Sequence, residues 1–96
     1  MIDLLPAKFH LSQNYPNPFE ERTAIKYCVP RTCKVTVTIY DLQGRVLEKL
    51  VDEEKPPGTY EVIWNAGDIP CGMYSCVMEA GSFLERKTME VARVNW

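Results

Sequence analysis

The sequence predicts an all-β chain built as two packed antiparallel sheets. Two observations carry that expectation. Apolar residues recur at every second position along successive short segments, the mark of strands with one face in a core and one in water. Between these segments, turn-forming residues interrupt the chain roughly every 8 to 14 residues, a spacing that suits a sandwich or barrel. Helix-period patterns are missing, so no crossover helix is expected.

Taken in order, the first feature is a stiff corner. Residues 11–19 read Leu-Ser-Gln-Asn-Tyr-Pro-Asn-Pro-Phe. Each X-Pro step pushes the preceding residue out of the α region, so Tyr15 and Asn17 are held extended. Tyr15 and Phe19 are expected to pin this bend to the sandwich, and the Tyr15–Pro16 bond admits a cis isomer with trans as the default. A strand follows over 23–29, with Ile25, Tyr27 and Val29 on one face and Lys26 and Cys28 on the other. The next alternates more cleanly, Val35, Val37 and Ile39 against Lys34, Thr36 and Thr38. Asp41 and Gly44 then sit where a tight connection needs a side-chain acceptor and a residue free to take positive φ. Val46, Leu47, Leu50 and Val51 make a further short strand, expected to end at the cluster Asp52-Glu53-Glu54-Lys55, ahead of Pro56-Pro57-Gly58. Tyr60, Val62 and Trp64 share one face of the following strand. After a turn over 66–72, Tyr74, Cys76 and Met78 share a face, and the last strand is expected over 83–91. The total is six or seven strands. An immunoglobulin-like antiparallel sandwich accounts for them, with residues 1–6 read as a linker or appended remnant and 7–96 as one domain.

Composition narrows the function classes. A chain of 96 residues buries roughly 60–65% of its unfolded surface and suffices for one core. Net charge is −2, and acids and bases alternate without long blocks. The basic face or stripe of a nucleic-acid binder is therefore missing. No apolar run approaches the ~20 residues that span a bilayer, so membrane insertion is not expected. No export signal is visible at this N-terminus.

Candidate chemistry is sparse. The cysteines fall in two pairs of equal spacing, Cys28 with Cys33 and Cys71 with Cys76. Structural zinc pairs usually have two to four intervening residues on a tight knuckle, but Cys76 is expected on a strand facing the core. Fully extended, Cys71 and Cys76 would stand ~15 Å apart, beyond disulfide reach. Cys28 and Cys33 flank what reads as a hairpin loop, where a cross-hairpin disulfide is geometrically permitted. The plainer reading is a set of small buried or half-buried residues. His10 has no nucleophile motif beside it and reads as solvated. The aspartates lie mostly in turns, as Asx hydrogen bonding explains. Tyr15, Tyr40, Tyr60, Trp64 and Trp96 would stack on sugar rings if exposed, but most stand at core parity and read as packing. Nothing forms an acid–base pair, a phosphate loop or a nucleophile–base pair, so the expectation is a chain that is not an enzyme, with no cofactor and no metal.

These residues resemble a known family, the type A C-terminal sorting domain of type IX (Por) secretion substrates, over almost the whole chain. The family's opening Leu-x-Gln-Asn-Tyr-Pro-Asn-Pro-Phe run stands intact here, including Asn14, Tyr15, Pro16, Asn17, Pro18 and Phe19. Its Thr-x-Ile-x-Tyr strand with a hydrophobic-Pro end is matched by Thr23, Ile25, Tyr27, Val29 and Pro30. The Val-rich strand running into Ile-Tyr-Asp and a Gly is matched by Val35, Val37, Ile39, Tyr40, Asp41 and Gly44. Gly58, Trp64, Gly72, Tyr74, Ala80 and Gly81 match the central motifs, and Lys87, Met89, Val91 and Arg93 the closing element. The chain departs from the family at Glu20-Glu21, where Asn-Pro is usual, and in having four cysteines. The segment from the Val-rich strand to Trp64 is also similar to the Ig-like domain of flagellar hook-capping proteins.

The resemblance implies a non-catalytic secretion address. A passenger joined upstream would pass from the periplasm across the outer membrane to the cell surface or medium. An outer-membrane translocon and a sortase-like peptidase would be the partners, and the peptidase would remove the domain after translocation. Arg86, Lys87 and Arg93, the basic residues toward the end of the chain, are candidate recognition residues, with an ordinary wet strand face as the plainer account. The alternative is an Ig-like accessory module that binds glycan or protein on a secreted enzyme. A third reading is a structural spacer of the hook-cap kind that assembles through edge strands.

Overall fold

Branched and aromatic residues at alternate positions favour extended backbone because each packs well on a pleated, half-buried surface. In the computed structural model, which describes residues 5–93, they form seven strands. These are β1 (His10–Leu11), β2 (Arg22–Val29), β3 (Cys33–Tyr40), β4 (Val46–Lys55), β5 (Gly58–Asn65), β6 (Gly72–Ala80) and β7 (Phe83–Val91). No helix occurs among the described residues. All pairings between the strands are antiparallel, in a three-stranded sheet ordered β1-β2-β5 and a four-stranded sheet ordered β4-β3-β6-β7. The all-β sandwich read from the sequence is the fold observed.

The core lies between the sheets and is filled by the faces the alternation assigns to it. Ile25, Tyr27 and Val29 of β2, Val35, Val37 and Ile39 of β3, and Tyr74, Cys76 and Met78 of β6 are all buried. Trp64 is the largest buried side chain, with Phe19 at one edge (centroids 5.7 Å apart, planes at 64°) and Tyr74 at another (6.1 Å, 67°). Such edge-to-face contacts add to the burial of the rings themselves. Thr38 and Val77, which alternation places on the outward face, are buried as well.

Four details differ from the sequence reading. β4 runs through the acidic cluster to Lys55 instead of stopping before it. It is an edge strand, so its charges reach solvent or one another: Asp52 pairs with Lys34 at 3.2 Å and with Lys49 at 3.5 Å, and Glu53 with Lys55 at 2.8 Å. The loop after Val29 is not a hairpin, because β2 and β3 belong to opposite sheets. The cross-hairpin geometry envisaged for Cys28 and Cys33 is therefore absent, and both are free thiols. Of the two aromatics expected to pin the corner, only Phe19 does so; it is 3% exposed and Tyr15 is 81% exposed. The Tyr15–Pro16 and Asn17–Pro18 bonds are both cis.

The connections segregate to two poles. At one lie the β2–β3, β4–β5 and β6–β7 links, where the Phe9 and Phe83 rings stack 5.3 Å apart and Arg31 sits 5.1 Å from the centre of the Phe9 ring. At the other lie the corner, the β3–β4 turn, the β5–β6 loop and the end of β7. In the β3–β4 turn, Asp41 Oδ1 accepts the N–H groups of Gln43 and Arg45, each at 2.9 Å. The bond from the Arg45 N–H is the chief reason the Asp41 carboxyl is held below its ordinary pKa. Gly44 closes the turn at φ 83°, a conformation that a side chain would strain. The chain thus enters the sandwich beside Phe9 at the first pole and leaves beside Arg93 at the second.

Trp64→Ala should cost about 3–5 kcal/mol, a large share of the roughly 5–15 kcal/mol typical of a domain. Tyr15→Ala should stay within about 0.5 kcal/mol of wild type. Urea denaturation of both variants checks the contrast, and comparable losses would contradict the assignment of Trp64, and not Tyr15, to the core.

Candidate functional site

The corner is where the family-motif residues gather, and it is built from hydrogen bonds that reach both sheets. Toward β2, Tyr15 and Ala24 exchange N–H···O bonds of 2.9 Å in both directions. Toward β7, the Gln13 side chain donates to Thr88 O at 2.7 Å and Asn17 Oδ1 accepts the Glu90 N–H at 2.9 Å. Phe19 completes the contact: its N–H donates to Glu90 O at 3.0 Å, and its carbonyl accepts the Ala92 N–H at 2.9 Å. Inside the corner, buried Asn14 donates through Nδ2 to Pro16 O (3.1 Å) and Thr23 Oγ1 (3.0 Å) and accepts from Gln13 Nε2 (2.8 Å). Thr23 in turn donates to Pro16 O at 2.8 Å. Every buried side-chain nitrogen and oxygen among the described residues has a partner. Prolines at 16 and 18 lack N–H groups and so leave no unmet donor in a segment with no ladder of its own.

Gln13 is a corner residue that the sequence reading did not single out, and Thr23 was named only as part of the strand motif, not as a partner of the corner. Both lie within motifs it quoted, and a threonine at core parity beside a polar corner was the available signal. Of the other motif residues, Trp64 and Tyr74 belong to the core, Asp41 and Gly44 to the β3–β4 turn, and Gly81 to the turn between β6 and β7 at φ 60°. Gly72 opens β6 opposite Val91.

The three basic candidates are not gathered into one site. Arg93 is turned back onto the β5–β6 loop, donating from Nη1 to Ile69 O at 2.6 Å and from Nη2 to Gly67 O. Lys87 pairs with Glu85 at 3.1 Å. Arg86 is exposed and has no ion pair among the described residues. The shallow groove beside the corner carries both signs, lined by Glu20, Glu21, Arg22 and Arg93 with Pro16, Pro18 and Phe19.

Potential ligands and nucleophiles are likewise dispersed. Among the described residues, no three of His, Cys, Asp and Glu come together as a metal site. Cys76 is 1% exposed, and burial pushes its thiol up to about 12. Cys71 is exposed, whereas Cys28 and Cys33 are half-buried. Tyr27 and Tyr60 stack at 5.3 Å with planes 23° apart, but Tyr27 is buried. Among the described residues no ring stacks on Tyr15; Trp96 lies outside the described residues, as do residues 1–4 of the proposed linker.

Asn14→Ala should destabilise the chain by about 1–3 kcal/mol, because it strips buried groups of their partners. Hydrogen exchange at Glu90 and Ala92 should accelerate before exchange in β3 does, as read by NMR. Since the thiolate is the reactive form, iodoacetamide should label Cys71 in the native chain and Cys76 only after denaturation. Peptide mapping that finds native Cys76 labelled would refute its burial.

Among curated proteins, no match to the chain is found. A scan against protein families matches the family described as a secretion system C-terminal sorting domain over residues 13–91. That span covers well over half of the chain, begins in the corner and ends on the last residue of β7. By that match, the chain belongs to the secretion system C-terminal sorting domain family.

Proposed function

We propose that the domain is a type IX secretion address, which directs a passenger joined to its N-terminal side out of the periplasm and across the outer membrane. The observation that carries this reading is the family match over 13–91. The site supports it: the matched span starts at Gln13, and the same Gln13 side chain holds Thr88 of β7. The domain therefore presents its two motif-bearing ends as one folded surface. A translocon would bind that surface, and the work of the domain is recognition without catalysis. A sortase-like peptidase cleaves it from the passenger after translocation, and the passenger is left at the cell surface or in the medium. Arg86 is the basic residue that remains free to meet the translocon.

The test is a reporter carrying a Sec signal and residues 7–96 at its C-terminus, expressed in a type IX-competent host. The expected outcome is reporter at the surface or in the medium, shortened by loss of the domain. Reporter retained in the periplasm would overturn the address reading. Full-length reporter at the surface would overturn the cleavage step alone.

A further inference from the structure

Four strands border the two sheets, and three of them are blunted. β1 has two residues. The outer side of β7 is taken over 88–92 by Gln13, Asn17 and Phe19. β4 lies across two register breaks from β3 and points a Glu53–Lys55 ion pair along its core-facing parity. Bulges, inward charges and covering segments are the devices by which proteins discourage strand addition.

β5 has none of them. It pairs with β2 through eight unbroken partners, with no proline and with Glu61 as its one charged residue. The Ala66 N–H donates to Glu21 O, and antiparallel ladders alternate every second residue. The backbone groups of Thr59, Glu61 and Ile63 therefore point away from β2, and nothing among the described residues takes them. Side chains on both faces of this edge are exposed in part. Tyr60 and Val62 are only half-buried although they stand at core parity, and Ile63 is 51% exposed on the outward face.

The outward face also indicates what would fit there. Cross-strand partners place Tyr15, Ala24 and Ile63 in one row, which lines a shallow groove with Pro16 and Arg22. The next row sets Lys26 against Glu61. A strand added beside β5 would extend the first row with an apolar residue and the second with a positive charge. On β4, linked to β5 by Pro56 and Pro57, Asp52 and Glu53 are already paired with lysines, whereas Glu48 and Glu54 have no ion pair among the described residues and add to the preference. We propose that β5 is a docking edge for an extended, antiparallel segment of a partner protein. That segment bears an apolar residue opposite Ile63 and, two residues later, a Lys or Arg opposite Glu61. A second copy of β5 fits poorly, since the strand contains no Lys or Arg to face Glu61. The proposal goes beyond the export reading and stands without it.

The probe is a synthetic peptide, Thr-Val-Thr-Lys-Thr-Val-Thr, with a counterpart in which Glu replaces Lys. Both are titrated into the full chain while amide exchange is followed by NMR. The Lys peptide should slow exchange at Thr59, Glu61 and Ile63 and bind up to about fivefold more tightly than the Glu peptide, the range expected of a cross-strand charge pair. Glu61→Lys, an exposed substitution that leaves the core intact, should reverse the preference. Protection confined to β4 or β7, equal binding of the two peptides, or no protection at the peptide's solubility limit would each overturn the proposal. Protection at the same amides that grows with protein concentration alone would assign the edge to a second copy, and would overturn it too.

Discussion

The hydrogen bonds that carry the corner from β2 to β7 are the constraint on which the rest of the sandwich depends. A sheet of three strands faces one of four, so the last strand of the larger sheet has no full-length partner above it. Residues 13–19 fill that gap with backbone and side-chain bonds instead of a strand. The same segment delivers Phe19 to the edge of Trp64, which in turn meets Tyr74 of the opposite sheet. Rigidity and packing therefore come from one short run of sequence. The Asn, Gln and Thr side chains satisfy backbone groups that no ladder reaches, and Phe19 closes the core beneath them.

The outer strands of the larger sheet answer a related problem with charge. Each carries a Glu and a Lys two residues apart on the side that faces the sheet gap, Glu53 with Lys55 and Glu85 with Lys87. Lys55 also sits 5.0 Å from the centre of the Tyr60 ring, so its charge is held by both Glu53 and that ring. Neither lysine is thus a free positive charge, and Arg93 is spent on the carbonyls of the β5–β6 loop. The described surface is mainly shape and strand edge; Arg86 has no ion pair there, and Glu61 faces only Lys26 across the strands.

Much of this was legible in the sequence, and the failures share a cause. Period-two alternation located β2, β3, β5 and β6, and it placed β7 at its observed limits, because those strands each have one wet face. β4 was cut short because a run of acids reads as a turn; on an edge strand with a solvated side, the same run extends without cost from burial. The link between Cys28 and Cys33 read as a hairpin because local sequence does not say whether the next strand returns to the same sheet. Tyr15 and Phe19 looked equivalent, since the period that sorts strand residues into faces does not apply across two proline bends. The folded-back Arg93 and the Gln13 bond to Thr88 join residues far apart in sequence. Polar contacts of that kind follow from the completed fold and leave no local pattern.

The two poles have a mechanical meaning. The chain enters beside Phe9 at one and leaves beside Arg93 at the other, so tension between passenger and exit end runs along the strand axes. Near its exit, β7 is held on both sides, by β6 on one and by residues 13–19 on the other. Pulling lengthwise on a strand held in that way sets many hydrogen bonds in shear at once instead of peeling them singly. Force along the strand axes would therefore meet β7 as a strand that yields all at once, not bond by bond.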